Sequence, residues 1–245
     1  MKIIPLNEGI FTVTKDKIFT EIQRDEVETA DPKLLKMGVC PFLIVLPNNE
    51  LVLFDAGTGY IKNNRIVLLQ RMEETGYQPE QVSKILLSHL HKDHIEGLGQ
   101  INGNAIEPYF PNAQIYYQQR ELEYALKQTE SYSFDQEYLK LFTKLPNLVA
   151  MNDNEGNINE YITYQVTGGH SPFHQVFWIK EGNETAFYGA DNLPQKSYLK
   201  FHIAYKSDYD GKKAKELRLL WEEQAKAENW TILFYHEFSR NVTTL

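Results

Sequence analysis

The chain has 245 residues, and 25 Lys and Arg set against 33 Asp and Glu give a formal net charge of −8. That length supports a sizeable core, and the acidic balance disfavours a nucleic-acid-binding surface, which needs clustered Lys and Arg. The single cysteine, Cys40, excludes an intrachain disulfide. No apolar run is long enough to span a membrane, and the N-terminal stretch Met1 to Glu8 lacks the apolar region of a signal peptide, so a cytoplasmic setting is expected.

In chain order, Lys2–Pro5, Ile10–Thr14 and Ile18–Ile22 read as strands. Residues 24–39 are polar and charged around Pro32 and read as a loop. Cys40–Leu46 and Leu51–Phe54 flank the turn signal Pro47-Asn48-Asn49-Glu50 and read as a hairpin. It runs into Asp55-Ala56-Gly57-Thr58-Gly59. The spacing predicts a helix over 64–75, ended by Gly76, then a short helical turn at 79–83 and a buried strand at Ile85–Leu87. After a strand at 113–117, residues 118–144 are helical and rich in aromatics, with Ser131 and Ser133 dividing them into two helices. Two readings stand side by side for this helical insertion at about 118–145. Either its aromatics pack down on a sheet, or they form a cap over a site. Strands at 148–151, 158–167, 176–179 and 185–188 follow, then a long helix at 211–228 and a last strand at 231–235. Alternating strands and helices predict an α/β fold of sheets covered by helices, and no repeat or linker divides residues 1–245.

Directly after Ile85–Leu87 come His89, His91, Asp93 and His94, four potential metal ligands within six residues. Alternation along an extended chain points His89, His91 and Asp93 roughly one way, and His94 needs a turn to join them. Adjacent side chains diverge, so one ion does not easily take all four, whereas two neighbouring ions could share them. Of the seven histidines, His170, His174 and His236 also sit at predicted strand ends or in the loops after them, as do Asp55 and Asp191. Strand ends are where scaffolds present chemistry.

His89-Leu90-His91-Lys92-Asp93-His94 resembles the H-x-H-x-D-H signature of the metallo-β-lactamase-fold hydrolases. Asp55-Ala56-Gly57 resembles that family's D-x-G loop. Gly169-His170-Ser171-Pro172-Phe173-His174 resembles its G-H-T-P-G-H loop, with Phe173 where glycine is usual. Gly189-Ala190-Asp191 resembles its G-D strand end, and Tyr235-His236 its closing histidine, followed by Glu237 where aspartate is common. The resemblance implies a four-layer αββα sandwich with metals at one edge. It implies one ion held by His89, His91 and His170, a second held by Asp93, His94 and His236, and Asp191 bridging. Zinc suits these N and O donors, as do iron, manganese and cobalt. A bridging hydroxide at neutral pH would be the nucleophile. Asp93 would orient it while binding metal, Asp55 would fix a ligand's orientation, and His174 would be structural.

Within the family, the chain is similar to the N-acyl-homoserine lactone lactonases, through the hairpin before Asp55, the helical segment between ligand clusters and the run Asp191-Asn192-Leu193-Pro194 to Tyr235-His236-Glu237. The resemblance implies opening of a lactone or similar ester, with a small molecule as partner, no nucleic acid or membrane, and a homodimer left open. His202 and Tyr205 would face the substrate, and Phe173 would narrow the pocket or fill the core. The rivals are a glyoxalase II-like thioesterase, a phosphodiesterase of the same fold, and a non-catalytic metal-binding sensor.

Overall fold

Alternation along apolar strands builds two facing sheets. In the computed structural model, which describes residues 1–245, the first sheet orders its strands Lys2–Pro5, Phe42–Val45, Leu51–Phe54, Val82–Leu86, Gln114–Gln118 and Leu148–Met151. Its first three strands pair antiparallel, and from Leu51–Phe54 onward the neighbours are parallel. Parallel strands are covered on both faces, which is why Leu51-Val52-Leu53-Phe54 is apolar throughout. The second sheet orders Glu155–Asn157, Ile162–Val166, Gln175–Glu181, Glu184–Tyr188, Thr231–Leu233 and Val242–Thr244.

The helices are α1 (Val67–Glu74), the single turn α2 (Lys92–Ile95), α3 (Gln119–Ala125), α4 (Gln136–Phe142), α5 (Ser197–Phe201) and α6 (Gly211–Glu228). Three apolar layers hold the sandwich together. Leu43, Leu53 and Ile85 on one face of the first sheet pack under Leu68 and Met72 of α1, Leu122 of α3 and Leu139 and Phe142 of α4. Phe42, Val52, Phe54 and Leu86 on its other face meet Phe177, Ile179, Tyr188 and Leu233 of the second sheet. Val176, Phe187 and Ile232 on the far side of that sheet pack under Trp221 and Ala225 of α6. The architecture is therefore α/β, an αββα sandwich. Each fully buried Leu or Phe contributes about 1.5–3 kcal/mol. No helix is long and apolar enough to cross a membrane.

Several elements differ from the sequence reading. Residues 35–39, expected as loop, form a strand pairing with Gly9–Val13, which also pairs with Phe19–Ile22. Met37 and Val39 enter the core, and the charged stretch before them hid this alternation. The helix expected from 64 starts at Val67, because Asn63 and Asn64 take positive φ (51° and 60°) and turn Arg65–Ile66 back on Ile61–Lys62. A hairpin joining Gly99–Asn102 to Ala105–Pro108 was not anticipated. The strand expected from 158 begins at Ile162, after the Asn159 side chain accepts the Tyr161 and Ile162 amides.

The segment 118–144 divides its aromatics between the two readings. Tyr138 and Phe142 are buried against the first sheet. Phe134, in the α3–α4 connection, packs edge-on to His91 at 4.7 Å, and Tyr124 lies 6.1 Å from Phe134.

Candidate metal centre

The strand Val82–Leu86 ends before the first histidine, so the extended direction does not carry on through Asp93. His91 caps a single helical turn instead, with the His94 amide donating to the His91 carbonyl at 3.0 Å. That turn brings His94 inward beside Asp93, and both are buried. From the second sheet come His170, in the loop before Gln175–Glu181, Asp191, in a 3-10 turn after Glu184–Tyr188, and His236, after Thr231–Leu233. Ligand atoms of His89, His91, His170 and Asp191 lie within 4.8 Å of one another, as do those of Asp93, His94 and His236.

The Asp191 carboxylate lies between the two groups. Its Oδ2 is 3.3 Å from His170 Nε2 and 4.0 Å from His89 Nε2. Its Oδ1 is 3.2 Å from His94 Nε2 and 3.0 Å from His236 Nε2. Asp93 Oδ2 is 3.8 Å from His94 Nε2 and 3.6 Å from His236 Nε2.

In four of the five histidines the outward nitrogen is already engaged. His94 Nδ1 donates to Asp55 at 2.7 Å, His170 Nδ1 to Asp208 at 2.9 Å and His236 Nδ1 to the Gly38 carbonyl at 2.7 Å. His89 Nδ1 is 3.0 Å from the Ser88 hydroxyl. These contacts leave Nε2 facing inward on those four rings, whereas His91 turns Nδ1 inward, 3.1 Å from His170 Nε2. The Nε2 atoms of His89, His94 and His236, with Asp191 Oδ1, are buried with no hydrogen-bond partner. Orphaned buried donors and acceptors are costly, and a divalent cation satisfies this set. The residues therefore fit a metal.

Burial, aided by neighbouring histidines, holds His89 and His91 well below the usual histidine range. Burial acts the same way on His94, but Asp191, Asp55 and Asp93 outweigh it and push the ring well above that range. Burial raises Asp191, but His236, His94 and His170 override it and hold the carboxyl well below its usual range. An ionised carboxylate amid inward nitrogens is the donor set a cation requires.

The remaining candidates divide. Asp55 accepts the Ser88 amide and hydroxyl, His94 Nδ1 and the Tyr188 hydroxyl. His174 is fully buried, its ring 5.1 Å from that of His89, with Nδ1 3.2 Å from Asn192 Nδ2. Phe173 lies under the Arg120 guanidinium at 5.0 Å. Tyr205 stacks on Tyr198 at 4.5 Å. His202 pairs with Glu222 of α6 at 3.1 Å and is not brought into the cluster.

The sequence reading missed Asp208 and Asn192. Asn192 Oδ1 accepts the His170 amide at 2.8 Å and its Nδ2 donates to the Gly168 carbonyl at 2.7 Å. Gly169, at φ +92°, makes room for it, since a Cβ there would lie 2.5 Å from Asn192 Oδ1. Adjacency to Asp191 was the one available signal for Asn192. Asp208 had none, being 38 residues from the ring it holds.

Residues 38–236 match the model of the metallo-beta-lactamase superfamily. The chain belongs to this superfamily. The fold implies divalent metal ions. An N-acyl homoserine lactonase from Bacillus cereus is 32% identical over 120 residues, 49% of this chain and 40% of that protein. Ribonuclease Z from Streptococcus pneumoniae is 50% identical over 50 residues, 20% of this chain and 14% of that enzyme. The chain thus spans well under two thirds of either curated relative.

Among solved structures, a probable metal-dependent hydrolase from Staphylococcus aureus superposes with a TM-score of 0.78 at 17% identity, covering 99% of this chain and 91% of that one. A dizinc quorum-quenching lactonase in complex with a product gives 0.75 at 21%, covering 99% and 89%. These likenesses carry the superfamily's fold.

Proposed function

We propose that this superfamily member is a dinuclear hydrolase that opens a lactone or similar ester. The observation that supports it best is Asp191, whose two oxygens face separate groups of inward histidine nitrogens, three of them without a hydrogen-bond partner. In this reading His89, His91 and His170 hold one ion, Asp93, His94 and His236 hold the other, and Asp191 joins them. The all-N/O donor set favours zinc. Two such ions would supply a water acidic enough to act as a nucleophile near pH 7 and would polarise the scissile carbonyl.

The chain's own groups do the rest. Asp93 is held from behind by the Tyr235 hydroxyl, which donates to its backbone carbonyl at 2.6 Å. Its Oδ2 faces the same space as His94 and His236, where it orients the attacking water and carries a proton toward the departing alkoxide. Asp55 and Asp208 keep His94 and His170 in the tautomer that presents Nε2. Phe134, Tyr124 and Tyr209 run outward from His91 in edge-on contacts of 4.7 to 6.1 Å and offer an apolar wall to an acyl chain. Residues 1–245 act as one domain in this account, with the 118–145 segment and Tyr209 forming that wall. The partner is a small molecule, because a net charge of −8 opposes a polyanion.

Assaying the zinc-loaded protein against N-acyl lactones, thioesters and phosphodiesters tests the reading. Lactone turnover exceeding the other two classes by about tenfold or more in kcat/KM supports it. A thioester or phosphodiester preference, or no turnover with two ions bound, overturns it.

A further inference from the structure

Arg218, in the middle of α6, is 0% exposed, yet no Asp or Glu carboxylate lies within ion-pair distance of it. Taking a cation out of water is costly unless hydrogen bonds replace the lost solvent. Here the donors go to two backbone carbonyls of separate segments. Nη1 donates to the Asn192 carbonyl at 2.9 Å, Nη2 donates to the Ile203 carbonyl, and Nε has no partner. Cζ lies 5.2 Å from the centre of the Tyr198 ring and 5.9 Å from that of Tyr205, beside the stack these two rings form. One turn further along α6, Glu222 pairs with His202, the residue before Ile203. Both segments grip His170. Asn192 Oδ1 accepts the His170 amide at 2.8 Å. From the loop after Ile203, Asp208 holds the His170 ring at 2.9 Å, the Tyr209 amide donates to the His170 carbonyl at 3.0 Å, and the Asp210 amide donates to the Gly169 carbonyl at 2.8 Å.

We infer that Arg218 is a positioning residue: its guanidinium ties the Asp191–Asn192 turn to the 203–210 loop and so holds His170 where it would bind an ion. The amide, ring and carbonyl of this one histidine are held by two segments, and the carbonyls of Asn192 and Ile203 in those segments meet at Arg218. A planar fork donates in two directions from one fixed position, which suits two carbonyls that have no hydrogen bond to each other. His202 and Tyr205 enter the same support, His202 through Glu222 and Tyr205 through its ring beside the guanidinium. The part of this inference that concerns an ion rests on the two-ion reading above.

The test pairs hydrogen exchange, read by mass spectrometry, with competition between the cobalt(II)-loaded full chain and a chelator, followed by the visible absorption of bound cobalt. Arg218→Met keeps much of the side chain's length and removes its donors. It is expected to speed exchange across 203–210 and 168–170 by about tenfold or more and to leave 84–95 within about twofold. It is expected to weaken the cobalt release step that His170→Ala abolishes by about tenfold, and the other step by less than about threefold. Asp208→Asn is expected to weaken the same step, and adding it to Arg218→Met to cost less than about threefold more, because both act on one ring. If Arg218→Met does not fold, Arg218→Lys, which keeps the charge without the fork, decides by the same two readouts. Equal weakening of both steps, no weakening, exchange that rises alike in 84–95, or full additivity with Asp208→Asn overturns the inference. If the unmodified chain binds fewer than two ions, the two-ion reading falls, and the exchange pattern alone then decides whether Arg218 ties the two segments.

Discussion

Asp191 and Glu8 are both buried carboxylates, at 9% and 2% exposure, and their surroundings drive them in opposite directions. Asp191 is surrounded by histidines and is held ionised. Glu8 is pushed up to about 7, chiefly by burial, even though the Thr58 amide and hydroxyl both donate to it at 2.8 Å. A carboxyl with a raised folded-state pKa binds its proton more tightly in the fold than in the open chain. Its stabilising contribution is therefore full below about pH 4.5, falls as pH rises toward 7, and is gone above that. Gln at this position keeps an acceptor for Thr58 and cannot ionise. Glu8→Gln is accordingly expected to gain stability relative to the native chain between pH 5 and pH 8, by up to about 3 kcal/mol. Denaturant unfolding at both pH values checks this, and an unchanged difference would contradict it.

At the scale of elements, the strand Leu35–Val39 does more than extend a small sheet. The Gly38 amide donates to the His236 carbonyl at 3.1 Å, and the Gly38 carbonyl accepts from His236 Nδ1. The backbones approach so closely that a Cβ on Gly38 would lie 2.2 Å from the Glu237 carbonyl oxygen. Gly38→Ala must therefore push the strand off His236. The expected cost is about 1–3 kcal/mol of stability, together with weaker binding of the ion assigned to Asp93, His94 and His236. Thermal unfolding and metal content, measured together, test this. A variant with native Tm and two bound ions would show that the strand does not position the histidine. The one-turn helix α2 has a comparable role, because only a helical turn places His94 beside Asp93 at the end of a strand.

Across the whole molecule, the centre joins the two sheets. His89, His91, Asp93 and His94 follow the first sheet, and His170, Asp191 and His236 follow strands of the second. Ions held between them would cross-link the halves of the sandwich as well as serve the chemistry. A ligand that binds only the folded state at 100 times its Kd stabilises by about 2.7 kcal/mol, or roughly 5–10 °C in Tm for a chain of this length. Chelation is therefore expected to lower Tm by at least that much, with recovery on adding zinc. A Tm indifferent to the chelator would contradict metal binding at this edge.

The parts legible in the sequence were those that follow from local chemistry. Apolar runs such as Leu51–Phe54 marked buried strands, because a strand covered on both faces excludes polar side chains. Four ligand-type residues in six marked half of a candidate centre, because their spacing has few structural explanations. Motif order extended this to His170, Asp191 and His236, which the fold brings together. What only the tertiary structure decided depends on contacts distant in sequence. Asn192 and Asp208 act through a backbone amide and a ring nitrogen 22 and 38 residues away, and Gly38 reaches across 198. No periodicity or spacing records such pairs. Which of the 118–144 aromatics pack on the sheet and which reach the His91 ring was likewise decided by tertiary packing, since a single strip of apolar sequence reads the same for either.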